Sequence, residues 1–199
     1  MASNVVNGNN KSGGPGKVLV PTAEGVIVQA EAVVIVAEDG SLGGVIGQTG
    51  SPADVITVTP VCEVSSLDAG DVAFDTIVIT NAARLSGGTV RLDTISLIDK
   101  ADQKAQLELV FFNALTSLGT LDAAPSISDA NALTIVGRHT IAVADYLDIG
   151  GASIVNLGGI GKLMKTVGGR HLYVAAFVPG TPTYGAADAL QFQFGFAQT

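Results

Sequence analysis

The sequence predicts an all-β chain, an antiparallel β-sandwich of jelly-roll type, and three observations carry that expectation. Apolar residues alternate with polar or small ones through strand-length segments, most cleanly where Leu190, Phe192, Phe194 and Phe196 interleave with Gln191, Gln193 and Gly195. About eight such segments are separated by short stretches rich in Gly, Pro, Asn and Asp. Only one stretch, SDANALTIVG, reads as a short helix, with Ser128 placed to cap it and Asp129 favouring its positive N-terminal end. A jelly roll is the expected arrangement of these strands and an immunoglobulin-like sandwich the alternative.

Residues 1–16 (MASNVVNGNNKSGGPG) are rich in Asn, Gly and Ser and are expected to form a flexible N-terminal tail. Residues 17–53 change to β-branched runs, VLV, GVIVQA, AVVIVA and GVIG, each closed by Gly or polar residues. Such runs are too broken for helices and favour strands, so the segment reads as an N-terminal β-arm. Within it VIVQAEAVVIVAEDG carries a crude repeat that would form a small hairpin or a stitched strand. The arm's apolar runs lack a core of their own, and packing on a neighbouring subunit is the expectation. Pro52 in GSPAD marks a turn, and the sandwich domain is expected over 54–199.

In that domain ITVTPVCEV reads as a strand that Pro60 interrupts, at an edge or a bulge, with Cys62 on it as a small hydrophobe. SSLDAGD is a turn, VAFDTIVIT a strand, and NAARLSGG leads to the next pair. That pair, Thr89 to Ile98 and Gln106 to Phe112, reads as a long antiparallel hairpin around the charged connector DKADQK. Its apolar phase shifts from Val90 and Leu92 to Ile95 and Leu97, which a β-bulge near Thr94 would explain. SLGTLDAAPSIS is a loop, and HTIAVADYLDI, ASIVNL, IGKLMKTVGG and RHLYVAAFVPG follow as strands or turns. In the last of these, Tyr173, Ala175 and Phe177 share one face and Leu172, Val174, Ala176 and Val178 the other. Two apolar faces imply a central strand covered on both sides.

The 199 residues are 47% hydrophobic and only 14% charged, with 25 glycines and no Trp, which implies apolar surface covered by another subunit. The charges, 18 acidic against 10 basic for a net of −8, include no basic arm or stripe, so direct nucleic-acid contact is not expected. Cys62 is the single cysteine, which excludes an intrachain disulfide. The start MASNVVNGNN lacks the basic and apolar regions of a signal peptide. The longest apolar run, VIVQAEAVVIVA, is broken by Gln29 and Glu31, so no membrane span is expected. The chain reads as made in a cytoplasm and not exported through the usual signal.

No constellation of catalytic, cofactor-binding or metal-ligating residues emerges, and none is expected. His139 and His171, the two histidines, each follow an Arg at a strand start and read as polar strand-edge residues rather than one site. Asp68, Asp71, Asp122, Asp129, Asp145 and Asp148 lie in turns without the compact spacing of a calcium loop. LGGIGK superficially suggests a phosphate loop, but its spacing is wrong and Leu163 stands where a hydroxyl residue is needed, so it reads as a β-turn. A carbohydrate-binding sandwich would need exposed aromatics. The candidates are Tyr146, Tyr173 and Tyr184, and Tyr184 in PGTPTYGAAD is the best placed for an exposed loop.

The ordered series DAGDVAFDT, GGTVRLDTISLIDKADQKAQLELVFF, SLGTLDAAPSISDANALTIVG, ADYLDIGG and LYVAAFVPGTPTYGAADALQFQFGF resembles a family of tailed-bacteriophage proteins encoded among virion head genes. That family is itself similar to small jelly-roll capsid decoration (cement) proteins. The match covers residues 54–199 in order, and residues 1–53 depart from the shorter relatives. The resemblance implies a non-enzymatic virion structural protein on the outer capsid surface. There a homotrimer would bind the major capsid protein and bridge its subunits, stabilising the head without a cofactor. A neck, tail or fibre component, or a carbohydrate-binding host-adhesion module, is the alternative.

Overall fold

The computed structural model describes residues 18–21, 27–30, 35–36, 42–43 and 53–198. The chain divides into two units, residues 1–50 and 51–199. In the first, Val18–Pro21 (β1) pairs antiparallel with Ile27–Ala30 (β2), and Ile35–Val36 (β3) with Leu42–Gly43 (β4). The hairpin expected inside VIVQAEAVVIVAEDG is therefore not the pairing found. Its two runs pair with β1 and β4 instead. The expected tail at residues 1–16 lies outside the described residues.

The second unit contains nine strands: Ala53–Val58 (β5), Val72–Ile79 (β6), Thr89–Asp99 (β7), Leu107–Phe112 (β8), Ile135–Ile141 (β9), Tyr146–Asp148 (β10), Ser153–Lys165 (β11), Leu172–Phe177 (β12) and Leu190–Gln198 (β13). One sheet is ordered β10-β11-β7-β13-β5 and the other β6-β12-β8-β9, and every strand pairing in them is antiparallel. The chain alternates between sheets from β5 to β8, keeps β9 beside β8, and returns through β10 and β11. It then crosses to β12 and closes with β13 between β5 and β7. Apart from the short β10, this is the four-on-four strand order of a jelly roll. The sandwich is as expected, in its jelly-roll form.

The expected hairpin of β7 and β8 is overturned: β7 pairs with β11 and β13, and β8 with β12 and β9. Residues 100–106 thus carry the chain from one sheet to the other. Both strands turn apolar faces to the same core, Val90, Leu92, Ile95 and Leu97 from β7 and Leu107, Leu109 and Phe111 from β8. Alternation reports which face is buried, not which strand lies alongside.

The phase shift in β7 is real. Gly195 lies opposite Thr94 and Phe196 opposite Leu92, leaving Asp93 as an extra residue. That bulge restores Ile95 and Leu97 to the core. Gly195 suits the site, because a Cβ there would collide with the Thr94 hydroxyl and force that side chain to move. Across the other edge of β7, Gly158 faces Thr94 and Lys162 faces Leu92, so Gly159, Ile160 and Gly161 form a wider bulge in β11. Gly159 and Gly161 take φ of +70° and +67°, which suits Gly. LGGIGK is accordingly a bulged part of one long strand and not the turn expected from its glycines.

Leu190, Phe192, Phe194 and Phe196 of β13 are all buried in the main core, as their spacing predicts. β12 lies between β6 and β8 and is covered on both faces. Leu172, Val174 and Ala176 join the main core. Ala175, with Tyr173 and Phe177 beside it, belongs to a second cluster with Val72, Phe112 and Leu118. The cover on that outer face is the connector after β8, held by the Asp75 carboxylate, which accepts from the Leu118 N–H at 2.9 Å and the Ser117 hydroxyl at 2.8 Å. The predicted helix exists as Asp129–Ala132 (α1), with the Ser128 hydroxyl accepting from the Asn131 N–H, but it stops early and Ile135–Gly137 belong to β9.

Candidate functional site

Four connectors meet at one end of the sandwich. The chain between β5 and β6 bonds to that between β12 and β13: the Cys62 and Leu67 N–H groups donate to the Ala187 and Pro182 carbonyls at 2.8 and 2.9 Å. The β7–β8 connector joins the same group through the Lys100 N–H, 2.9 Å from the Ala189 carbonyl. It also holds the β9–β11 region, where the Tyr146 hydroxyl donates to the Ala105 carbonyl at 2.7 Å.

Asp99 organises the β7–β8 connector. Its carboxylate is fully buried and accepts from the Ala101 and Lys104 N–H groups at 3.0 and 2.9 Å. Burial raises its pKa, and those backbone donors oppose the rise. Asp102 and Lys104 adopt φ of +52° and +50°, so this arch is held in a conformation that L residues seldom take. Lys104 Nζ meets Asp148 at 2.7 Å and Asp102 at 3.3 Å. The bond to Asp148 raises the ammonium pKa and lowers that of its partner. Lys100 holds Asp188 in the same way and lowers its pKa. The charges of DKADQK are thus not all solvated, as their clustering led one to expect: the first of them is the buried anchor.

Two shallow grooves flank the arch. One of about 380 Å³ is lined by Gln103, Gln106, Val143, Pro179, Thr181 and Pro182. The other, about 250 Å³, lies among Lys100, Ala101, Gly185 and Asp188. Neither presents a nucleophile beside a base. Cys62 is buried just after β5, not on a strand as expected, because β5 ends at Val58 before Pro60. Burial pushes its thiol up to about 11, which keeps it protonated at neutral pH. β5 is an edge strand, as Pro60 suggested.

The histidines do not share a site. By register His139 stands level with Leu109 and Ala176, whereas His171 precedes Leu172 at the far end of β12 and is two strands away. His171 Nδ1 accepts from the Asn81 N–H at 3.1 Å, and burial with nearby Lys162 lowers the His139 pKa. Three of the turn aspartates serve the backbone: Asp71 accepts from the Asp68 N–H, Asp145 from the Ala142 N–H and Asp148 from the Gly150 N–H. Among the described residues no three His, Cys, Asp or Glu side chains are grouped as a metal ion would require.

Tyr184 corrects the expectation of an exposed loop aromatic. It is completely buried, with a hydroxyl that has no hydrogen-bond partner among the described residues. Tyr173 lies half-buried in the second cluster, and Tyr146 is half-buried with its hydroxyl engaged. The aromatic platform of a sugar-binding reading is therefore not present in these three residues. What this end of the molecule offers is a surface of loops tied to one another by hydrogen bonds.

No family model matches the chain, and no curated protein does. Among solved structures the chain is similar to the capsid of Ralstonia phage GP4 at 17% identity and a TM-score of 0.35, over 74% of this chain and 83% of that one. It is also similar to infectious bursal disease virus, Gx strain, at 14% identity and a TM-score of 0.18, over 89% of this chain and 49% of that one. Both TM-scores are too low for either likeness to bear on function.

Proposed function

We propose that this chain is a structural protein of a tailed-phage virion, a decoration protein that binds the outer capsid shell and bridges major capsid subunits. The observation that carries the reading is the ordered motif series over residues 54–199, whose segments form successive strands and connectors of one jelly roll. The jelly roll alone would not carry it, since lectins and cupins share that architecture. The connectors tied together at one end of the sandwich suit a part that serves as a contact surface.

Bridging acts through multivalency. A homotrimer touching several shell subunits turns the second and third contacts into intramolecular events, so weak individual contacts add to firm retention. The reading includes no catalytic step, no cofactor and no direct contact with nucleic acid or membrane. Cryo-electron microscopy of the source virion tests it. The expected result is this jelly roll repeated over the outside of the shell. Density confined to the neck, tail or fibres would overturn the decoration role.

A further inference from the structure

The two outer sheet faces are treated differently by the chain. That of β6-β12-β8-β9 is covered by the connector after β8, with Leu118, Leu121 and Ile127 packed on it. The described residues provide no such cover for β10-β11-β7-β13-β5. Its outward positions form three successive rows across the strands, from Leu147 to Gln191, from Asn156 to Thr57 and from Gly158 to Val55. None of these rows contains Asp, Glu, Lys or Arg. The next charges along β7, Arg91 and Asp93, neutralise each other at 2.7 Å. Leu147 and Val55 are 62% and 63% exposed, and a groove of about 220 Å³ runs beside Ile98, Asn156 and Gln193. A solvated sheet face ordinarily carries charges.

We propose that this outer face is where a second copy of the chain packs. The proposal deepens the homotrimer part of the function above and rests on it, by naming the surface. The choice of a second copy follows from charge. Copies carrying −8 each repel least where the contact brings no like charges together, and this face contributes none. A basic partner would instead be drawn to the acidic connectors. Gln191, Gln193 and Asn156 both donate and accept, so amides of an approaching copy can satisfy them when water leaves. Each row crosses four strands about 4.8 Å apart, and about six residues of length give roughly 380 Å² in plan before side-chain relief. Standard contacts bury about 800 Å² per partner, so the face has the right order of size.

Sedimentation velocity of the full chain over a concentration series is the test, with Gln193→Lys and Asn156→Glu on the face and Thr120→Lys away from it. Wild type and Thr120→Lys should associate alike, while each face variant associates at least about tenfold more weakly, since its new charge would be buried unpaired. Unchanged melting shows that a variant is folded, and either one suffices. Folded face variants that associate like wild type would overturn the proposal, as would a wild type that stays monomeric at tens of micromolar. Imaging of virions reads shell placement separately: a bare shell would remove the decoration role and leave a positive sedimentation result standing.

Discussion

Phe194 joins the two sheets. Its ring stacks on Phe192 of the same strand, with centroids 5.6 Å apart and planes within 2°, and meets Phe111 of the opposite sheet edge-on at 5.7 Å. Phe196 adds a third ring at 6.4 Å. Such offset and edge-to-face pairs add to the burial of the rings themselves. Removing this side chain leaves a void that strands on both sides can close only in part. Phe194→Ala is expected to cost about 3–5 kcal/mol, a large share of a domain's stability. Thermal melting reads the result, and a transition within a degree or two of wild type would contradict the central position of β13.

Between β7 and β8 the element that matters is the arch, and Asp99 is its anchor. Asp99→Asn removes a buried charge but turns an amide NH₂ toward the backbone donors the carboxylate accepts, so a loss of about 1–3 kcal/mol at neutral pH is expected. Burial raises the Asp99 pKa in the fold, so the native state holds this proton more tightly than the unfolded chain does. The stability contribution from Asp99 is then complete below its unfolded pKa and is lost as pH rises through its folded pKa. Asparagine does not titrate, and the deficit of the variant should widen as pH falls through that window. Denaturant melts at stepped pH check the sign: a narrowing deficit would mean that the backbone donors outweigh burial. Little of this arch was legible in the sequence. DKADQK has the composition of a solvated hairpin loop, and nothing local marks Asp99 as buried or the chain as crossing between sheets. Tyr184 was hidden for the same reason, since nothing in its loop sequence marks it as a member of the main core. What was legible depended on period alone. The phase slip at Asp93, the two apolar faces of β12 and the phenylalanine row of β13 each follow from side chains alternating across a strand. Partners did not, which is why Val90 to Phe112 suggested a hairpin that the sheets do not contain.

For the whole molecule the question is what residues 1–50 contribute. Among the described residues, both core clusters are built from Val58 onward, within the second unit. A chain lacking residues 1–50 is therefore expected to fold and to melt cooperatively. The apolar runs of the arm, Val18 to Val20, Val26 to Val28 and Val33 to Val36, call for a partner surface, and strands of this kind add readily to the edge of another sheet. Backbone hydrogen bonds would supply affinity there, and alternate side chains the fit. In the proposed setting the arm docks on a shell subunit or an adjacent copy and resists removal of the protein from the capsid. Deletion separates the two roles. The truncated chain should fold but leave shells at lower salt than the full chain, as measured by cosedimentation with purified capsids. Unchanged occupancy and salt resistance would show that the arm is no anchor. Failure to fold would instead make residues 1–50 part of what stabilises the jelly roll, and would move the boundary at Pro52.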